Sequence, residues 1–134
     1  MSAVRAAFRV LLVLWAGSLW SLAAWVAPTL FNAQSDRHLA GLLAARLFAI
    51  ETYLGVGTAL LAALLPGRGK FKWGYAAAGL LAVDQWIFAP LMADARSRGA
   101  AGGLSFGAWH GISAVVYVLA CLAVVVLICK ERFD

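Results

Sequence analysis

Residues 41–65, GLLAARLFAIETYLGVGTALLAALL, are the stretch that most limits what this chain can fold into. As a helix rising about 1.5 Å per residue, the run is long enough to cross a hydrocarbon layer about 30 Å thick. Yet Arg46 and Glu51 stand inside it. A charge at the centre of a membrane helix costs roughly 2.5–3.5 kcal/mol on insertion scales, so such residues usually face protein or water-filled space. Neighbours on a helix face are three or four apart, and these two are five apart. Each therefore needs a partner on another helix, and the chain must supply one.

The rest of the sequence supplies three more apolar runs. The chain is 64% hydrophobic and 13% charged, where a soluble domain is about a quarter charged. No strand-length alternation of apolar and polar residues is present, which argues against a barrel. The expected fold is all-α: a polytopic membrane protein, one four-helix bundle with spans at about 8–31, 41–65, 73–93 and 106–129. The first run follows Arg5 and Arg9, as a signal peptide would. It is too long for a 7–15-residue apolar core and is read as a retained span. Pro28 falls near its end, where a missing backbone N–H does least harm. Trp15, Trp20 and Trp25, spaced by five, share no face; the first two are packing or lipid residues and Trp25 an interface residue.

The connections differ in character. Residues 32–40 form a short polar link, 66–72 (PGRGKFK) a tight basic turn, and 94–105 (DARSRGAAGGLS) a link flexible by composition, with Ser105 placed to cap the fourth span. The last five residues are too short for a domain. The third span is the weakest, because Asp84 nearly cancels its apolar contribution, so Asp84 is expected to face inward.

The N-terminus, the basic turn and the C-terminal tail hold seven Lys and Arg; the other two loops hold three. The positive-inside rule then puts both termini in the cytoplasm. The same rule accounts for the net charge of +5 without nucleic acid as a partner. Cys121 and Cys129 lie eight apart in one apolar run, with neither disulfide nor metal spacing. A shift of 62 aligns Ala16-Gly17 with Ala78-Gly79, Leu19 with Leu81 and Ala27-Pro28 with Ala89-Pro90, a faint repeat of one hairpin by another. Gly55, Ala59 and Ala63, then Gly74, Ala78 and Ala82, then Gly107 and Gly111 form rows of small residues that would let helices approach closely.

In that topology Glu51 and Asp84 fall near the midplane, and Arg46 and His110 in the outer quarter with Gln85 nearby in depth. On the fourth span His110, Ser113, Ala114 and Tyr117 share one face. On the second, Arg46, Ile50 and Tyr53 share a face, and Glu51 aligns with Gly55 and Thr58. The expected polar intramembrane site is Arg46, Glu51, Asp84, Gln85, His110, Ser113 and Tyr117. Its carboxylates would carry protons or cations, and His110 would act as ligand or shuttle. The plainer reading is internal glue, with Arg46 neutralising Glu51 or Asp84. Two further classes stay open. One is a non-catalytic membrane partner or assembly subunit, or a homo-oligomer, whose charges pair across an interface. The other is a haem- or copper-binding redox protein, for which His110 is the only plausible intramembrane ligand and Met92 a soft addition. No Ser/His/Asp triad, HExxH, Gly-rich phosphate loop or Cys cluster is present, which leans away from an enzyme.

Two segments carry a resemblance. LVLWAGSLWSLAAWVAPTLF followed by AGLLAARLF, and later FGAWHGISAVVY, resemble the transmembrane protein 205-like family, which pairs a Trp-Gly first span with an Arg-Leu-Phe second span and a His-Gly-x-Ser fourth. The resemblance takes in Trp15, Gly17, Pro28, Phe31, Arg46, Phe48, His110 and Ser113. The family pattern expects Asn seven residues after the His, where this chain has Tyr117. It implies four spans and a bacterial inner-membrane location, with no settled activity. A more distant likeness to copper-resistance-type membrane domains is what keeps the metal alternative open.

Overall fold

The computed structural model describes residues 2–66 and 68–130. Gly67 of the basic turn and the tail after Lys130 lie outside the described residues, and with them Arg132 of the charge count above. Four helices follow one another: α1 (Ala3–Ala33), α2 (Arg37–Leu64), α3 (Gly69–Arg98) and α4 (Phe106–Lys130). Each is long and apolar enough to cross a membrane, and no strand is present among the described residues. By length and composition this is a multi-pass membrane protein. Helices are the expected form, because a backbone in lipid has to satisfy every N–H and C=O within its own segment.

Short polar residues set the starts. Ser2 Oγ accepts from the Arg5 amide, Asp36 Oδ1 from those of His38 and Leu39, and Ser105 Oγ from Ala108. The polar link after α1 shrinks to residues 34–36, so His38 lies in the first turn of α2 rather than in a loop. The link before α4 is an ordered turn, where composition suggested a flexible one. Gly99 ends α3 with φ of 89°, and Ala101 and Leu104 exchange both backbone hydrogen bonds across Gly102 and Gly103. Those two glycines have φ of 55° and 79°, the left-handed pair a two-residue reversal needs. The Trp109 indole N–H donates to the Ala101 carbonyl and fastens the turn to α4.

Neither proline ends its helix. The chain runs from Pro28 on to Ala33 and from Pro90 on to Arg98. Each proline is preceded by one π-helical turn, Leu22–Val26 in α1 and Asp84–Phe88 in α3, where the amides of Ala27 and Ala89 reach back five residues to Leu22 and Asp84. A proline ring clashes with the carbonyl four residues earlier, and the wider turn moves that carbonyl aside. The two π turns lie 62 residues apart, the offset of the sequence repeat. The molecule is thus two hairpins, α1–α2 and α3–α4, with the same distortion in the same place.

The helices alternate in direction. Phe8 meets Phe71 and Lys130 lies over Trp73 at the end holding the termini; Phe88 meets Trp109 and Arg96 lies over Phe106 at the other. The buried core sits toward the terminal end, where Leu12, Trp15 and Leu19 of α1 meet Phe71, Ala77 and Leu81 of α3 and Ala120, Val124 and Leu127 of α4. Of the rows of small residues, Gly55, Gly74 and Ala78 are buried as expected. Gly107 and Gly111 are exposed, and α4 instead packs through Tyr117, Ala120, Cys121 and Val124.

Contact between hairpins is concentrated in this half and at the π turn of α3, with Phe48 of α2 edge-on to Tyr117 of α4 at 4.9 Å between centroids just beyond. Residues before Leu22 in α1 meet α4, and α2 meets Lys72–Val83 together with Asp84–Phe88. Outward of the π turns, Ala27–Ala33 packs on α2 and Ala89–Arg98 on α4, with no comparable contact to the opposite hairpin. The hairpins are joined at one end and separate at the other.

Candidate functional site

Polar side chains inside these helices meet in one layer, midway along the bundle. Ser18 of α1 donates from Oγ to Glu51 Oε2 of α2 at 3.0 Å. Thr52 of α2 donates from Oγ1 to the Leu81 carbonyl of α3 at 3.4 Å. Ser113 of α4 donates from Oγ to Asp84 Oδ1 of α3 at 2.5 Å. Tyr117 of α4 donates from its hydroxyl to the Leu19 carbonyl of α1 at 2.6 Å. These four bonds close a ring, one at each neighbouring pair of helices: α1 with α2, α2 with α3, α3 with α4, and α4 with α1. In a medium without water each bond contributes about 0.6 kcal/mol on average.

The ring follows the repeat. Its two carbonyl acceptors, Leu19 and Leu81, are 62 residues apart, and each lies three residues before a π turn. Their donors come from the second helix of the opposite hairpin. The hydroxyl–carbonyl bonds therefore join hairpin to hairpin, and the hydroxyl–carboxylate bonds lie within each hairpin.

The predicted residues divide between this ring and the half of the bundle away from the termini. Glu51, Asp84, Ser113 and Tyr117 are ring members. Glu51 is 6% exposed and Tyr117 buried, whereas Asp84 and Ser113 are half-buried. Arg46 is elsewhere: it is exposed, on the face of α2 that carries Ile50 and Tyr53, also exposed. Neither acid has an ion pair among the described residues, so the pairing of Arg46 with Glu51 or Asp84 is not what the structure holds. The ion pair that the described residues do form, Arg98 with Asp94, lies at the end of α3. Tyr53 meets Trp86 in the π turn of α3, which puts the Arg46 face beside α3 and the Glu51 face against α1. Gln85 is half-buried beside Asp84. His110, one turn outward of Ser113, is exposed and stacks on Phe106 at 5.8 Å between centroids. Among the described residues no three His, Cys, Asp or Glu side chains converge, and Cys121 and Cys129 are free.

Sequence reasoning missed Ser18 and Thr52. A lone hydroxyl in an apolar helix is common enough to pass unread, and the partner of Ser18 is 33 residues away. Two signals were present: Ser18 precedes the repeated Leu19, and Thr52 precedes Tyr53 on a helix whose buried face already held Glu51, Gly55 and Thr58.

Below the ring the bundle is closed. Trp15 is 1% exposed, and its indole edge lies against Gly55, where a Cβ would sit 2.9 Å from Cζ2 and 3.3 Å from Cε2. Its Nε1 is buried with no acceptor among the described residues. Leu19 and Leu81 complete this floor. Above the ring the hairpins part, with His110 on α4 in electrostatic reach of Asp84.

Residues 10–128 match a family model described as "Domain of unknown function (DUF4149)". The match carries that description and not the transmembrane protein 205-like one drawn from the motifs. No curated protein and no solved structure matches the chain.

Proposed function

The chain belongs to the DUF4149 family, and we propose that this member exchanges a proton or monovalent cation at its intramembrane carboxylates as part of a transport cycle. The observation that carries the reading is the pair Glu51 and Asp84. Each lies in the middle of a membrane helix, each is bonded to one serine hydroxyl, and neither is neutralised by a cation among the described residues. Charges kept as glue would be paired, since an unpaired ion in this setting is the costly arrangement. An acid that binds and releases a positive ion has a reason to stay unpaired.

In this reading the protein lies in a bacterial inner membrane with both termini in the cytoplasm, as the Lys and Arg distribution and the motif resemblance favour. The parted ends of the hairpins then open outward, and ions reach Asp84 first and Glu51 second. The test is flux into vesicles holding the purified protein, with a pH dye and with sodium- and potassium-sensitive dyes. Wild type should exceed empty vesicles for one of these ions, and Glu51→Gln or Asp84→Asn should return flux to the empty-vesicle level. Equal flux from empty and protein-bearing vesicles sinks the proposal.

One observation favours a second reading, a non-catalytic assembly subunit. Arg46 is a charge exposed on an outer surface of the bundle, where a membrane partner's acid would neutralise it. Purification in mild detergent tests this, and a homogeneous single-chain species counts against it.

A further inference from the structure

The Ser18 hydroxyl has two acceptors at the same distance. Its Oγ lies 3.0 Å from Glu51 Oε2 and 3.0 Å from the Trp15 carbonyl, one turn back on its own helix. One hydroxyl carries one hydrogen, so it serves one acceptor at a time. We propose that the ion exchanged here is the proton, and that Glu51 carries it while the Ser18 hydroxyl turns between those two acceptors. This rests on the cation-linked reading above and names its ion.

When Glu51 is ionised, Ser18 donates to Oε2 and the carboxylate keeps a hydrogen-bond partner out of water. When a proton binds Oε2, the new O–H donates to Ser18 Oγ, and the serine hydrogen swings to the Trp15 carbonyl. Release reverses both moves. The Ser18 hydrogen and the bound proton each keep an acceptor throughout, and no heavy atom has to move.

A metal cation finds no such provision. To enter dehydrated it needs several oxygens in place of its water shell. Glu51 has one serine oxygen in hydrogen-bond contact, and the other ring hydroxyls, of Thr52 and Tyr117, donate to backbone carbonyls instead of gathering around it. The closed floor of Trp15 against Gly55 directs exchange toward the parted end, by way of Asp84 and Ser113. The titratable groups in electrostatic reach of Glu51 are Tyr117 and Cys121 of α4; Asp84 reaches Tyr117 and is itself reached by His110. None but Asp84 is a carboxyl, and the chain's other acids, Asp36, Asp94, Glu131 and Asp134, stand outside the apolar runs of the sequence, so two substitutions assign the bands of the two intramembrane acids.

The experiment is infrared difference spectroscopy of the full chain in detergent, alkaline against acid pH. The expected result is a protonated-carboxyl band that Glu51→Gln removes, Asp84→Asn keeps, Ser18→Ala shifts and Ser18→Thr restores. These changes are near-isosteric, and helix content by circular dichroism confirms that each variant folds. A band indifferent to Glu51→Gln overturns the proposal. A band erased by sodium or potassium at constant pH also overturns it, while leaving cation-linked transport standing. Vesicle flux tests transport and the infrared band tests the ion, so the two fail separately.

Discussion

Replacing Gly55 by Ala tests the packing that closes the half of the bundle nearer the termini. The added methyl would lie 2.9 Å from Trp15 Cζ2 and 3.1 Å from Leu81 Cδ1. Both side chains are 1% exposed, so neither has room to yield. Forcing a methylene-sized group into a filled core costs about 1–3 kcal/mol. The better helix propensity of Ala offsets about 0.5–1 kcal/mol of that. The net expectation is a loss of about 1–2 kcal/mol, roughly a 5- to 30-fold fall in the folded-to-unfolded ratio. Gly57, two residues on, is the control: a Cβ there meets nothing within 4 Å. Gly57→Ala should gain the propensity term alone. The assay is unfolding of detergent-solubilised protein by added sodium dodecyl sulfate, read by tryptophan fluorescence. Trp15→Phe in the Gly55→Ala background should recover part of the loss. A Gly55→Ala protein as stable as Gly57→Ala would refute the close approach of α1 and α2.

Other substitutions probe other links. Tyr117→Phe removes the bond to the Leu19 carbonyl and should cost about 0.6 kcal/mol, up to about 1.7, in the same titration. Arg46→Leu takes an exposed charge out of the apolar layer and should raise membrane insertion by up to about 2.5 kcal/mol in a glycosylation-reporter assay, since Arg46 lies off the helix centre; a loss of insertion would mean that Arg46 has a partner. Gly103→Ala puts a side chain at φ of 79° and should cost about 1–2 kcal/mol in stability, with the Trp109 fluorescence altered as the turn shifts.

Helical periodicity alone was enough to separate the faces of α2. Arg46, Ile50 and Tyr53 are exposed while Glu51, Gly55 and Thr58 are buried, because a 3.6-residue period leaves little freedom once one face is apolar and packed. Ser105 was legible as a cap because that chemistry is local. What periodicity does not contain is which helix stands opposite. Glu51 could have met any of three neighbours, and the choice of Ser18 depends on the whole bundle. Pro28 does fall near the end of its helix, but the widened turn before it, and its counterpart before Pro90, were not legible in the residues. The repeat showed in α1 and α3, where the offset stays at 62. It blurred in α2 and α4, where the counterparts Thr52 and Tyr117 stand 65 residues apart, because the helix ends and links between differ in length in the two hairpins.

The division of the polar ring also bears on how such a chain enters a membrane. Ser18 and Glu51 belong to one hairpin, Asp84 and Ser113 to the other. The first hairpin can thus cross the lipid with its acid already bonded to its own serine before the second has left the ribosome, and the second can follow with its own bond made. Thr52 and Tyr117 reach across only when the two halves dock, and they bind backbone carbonyls of residues that apolar packing brings together. Insertion and assembly are therefore served by separate sets of bonds. A variant that fails to insert and one that inserts but never docks should trace to different members of the same ring.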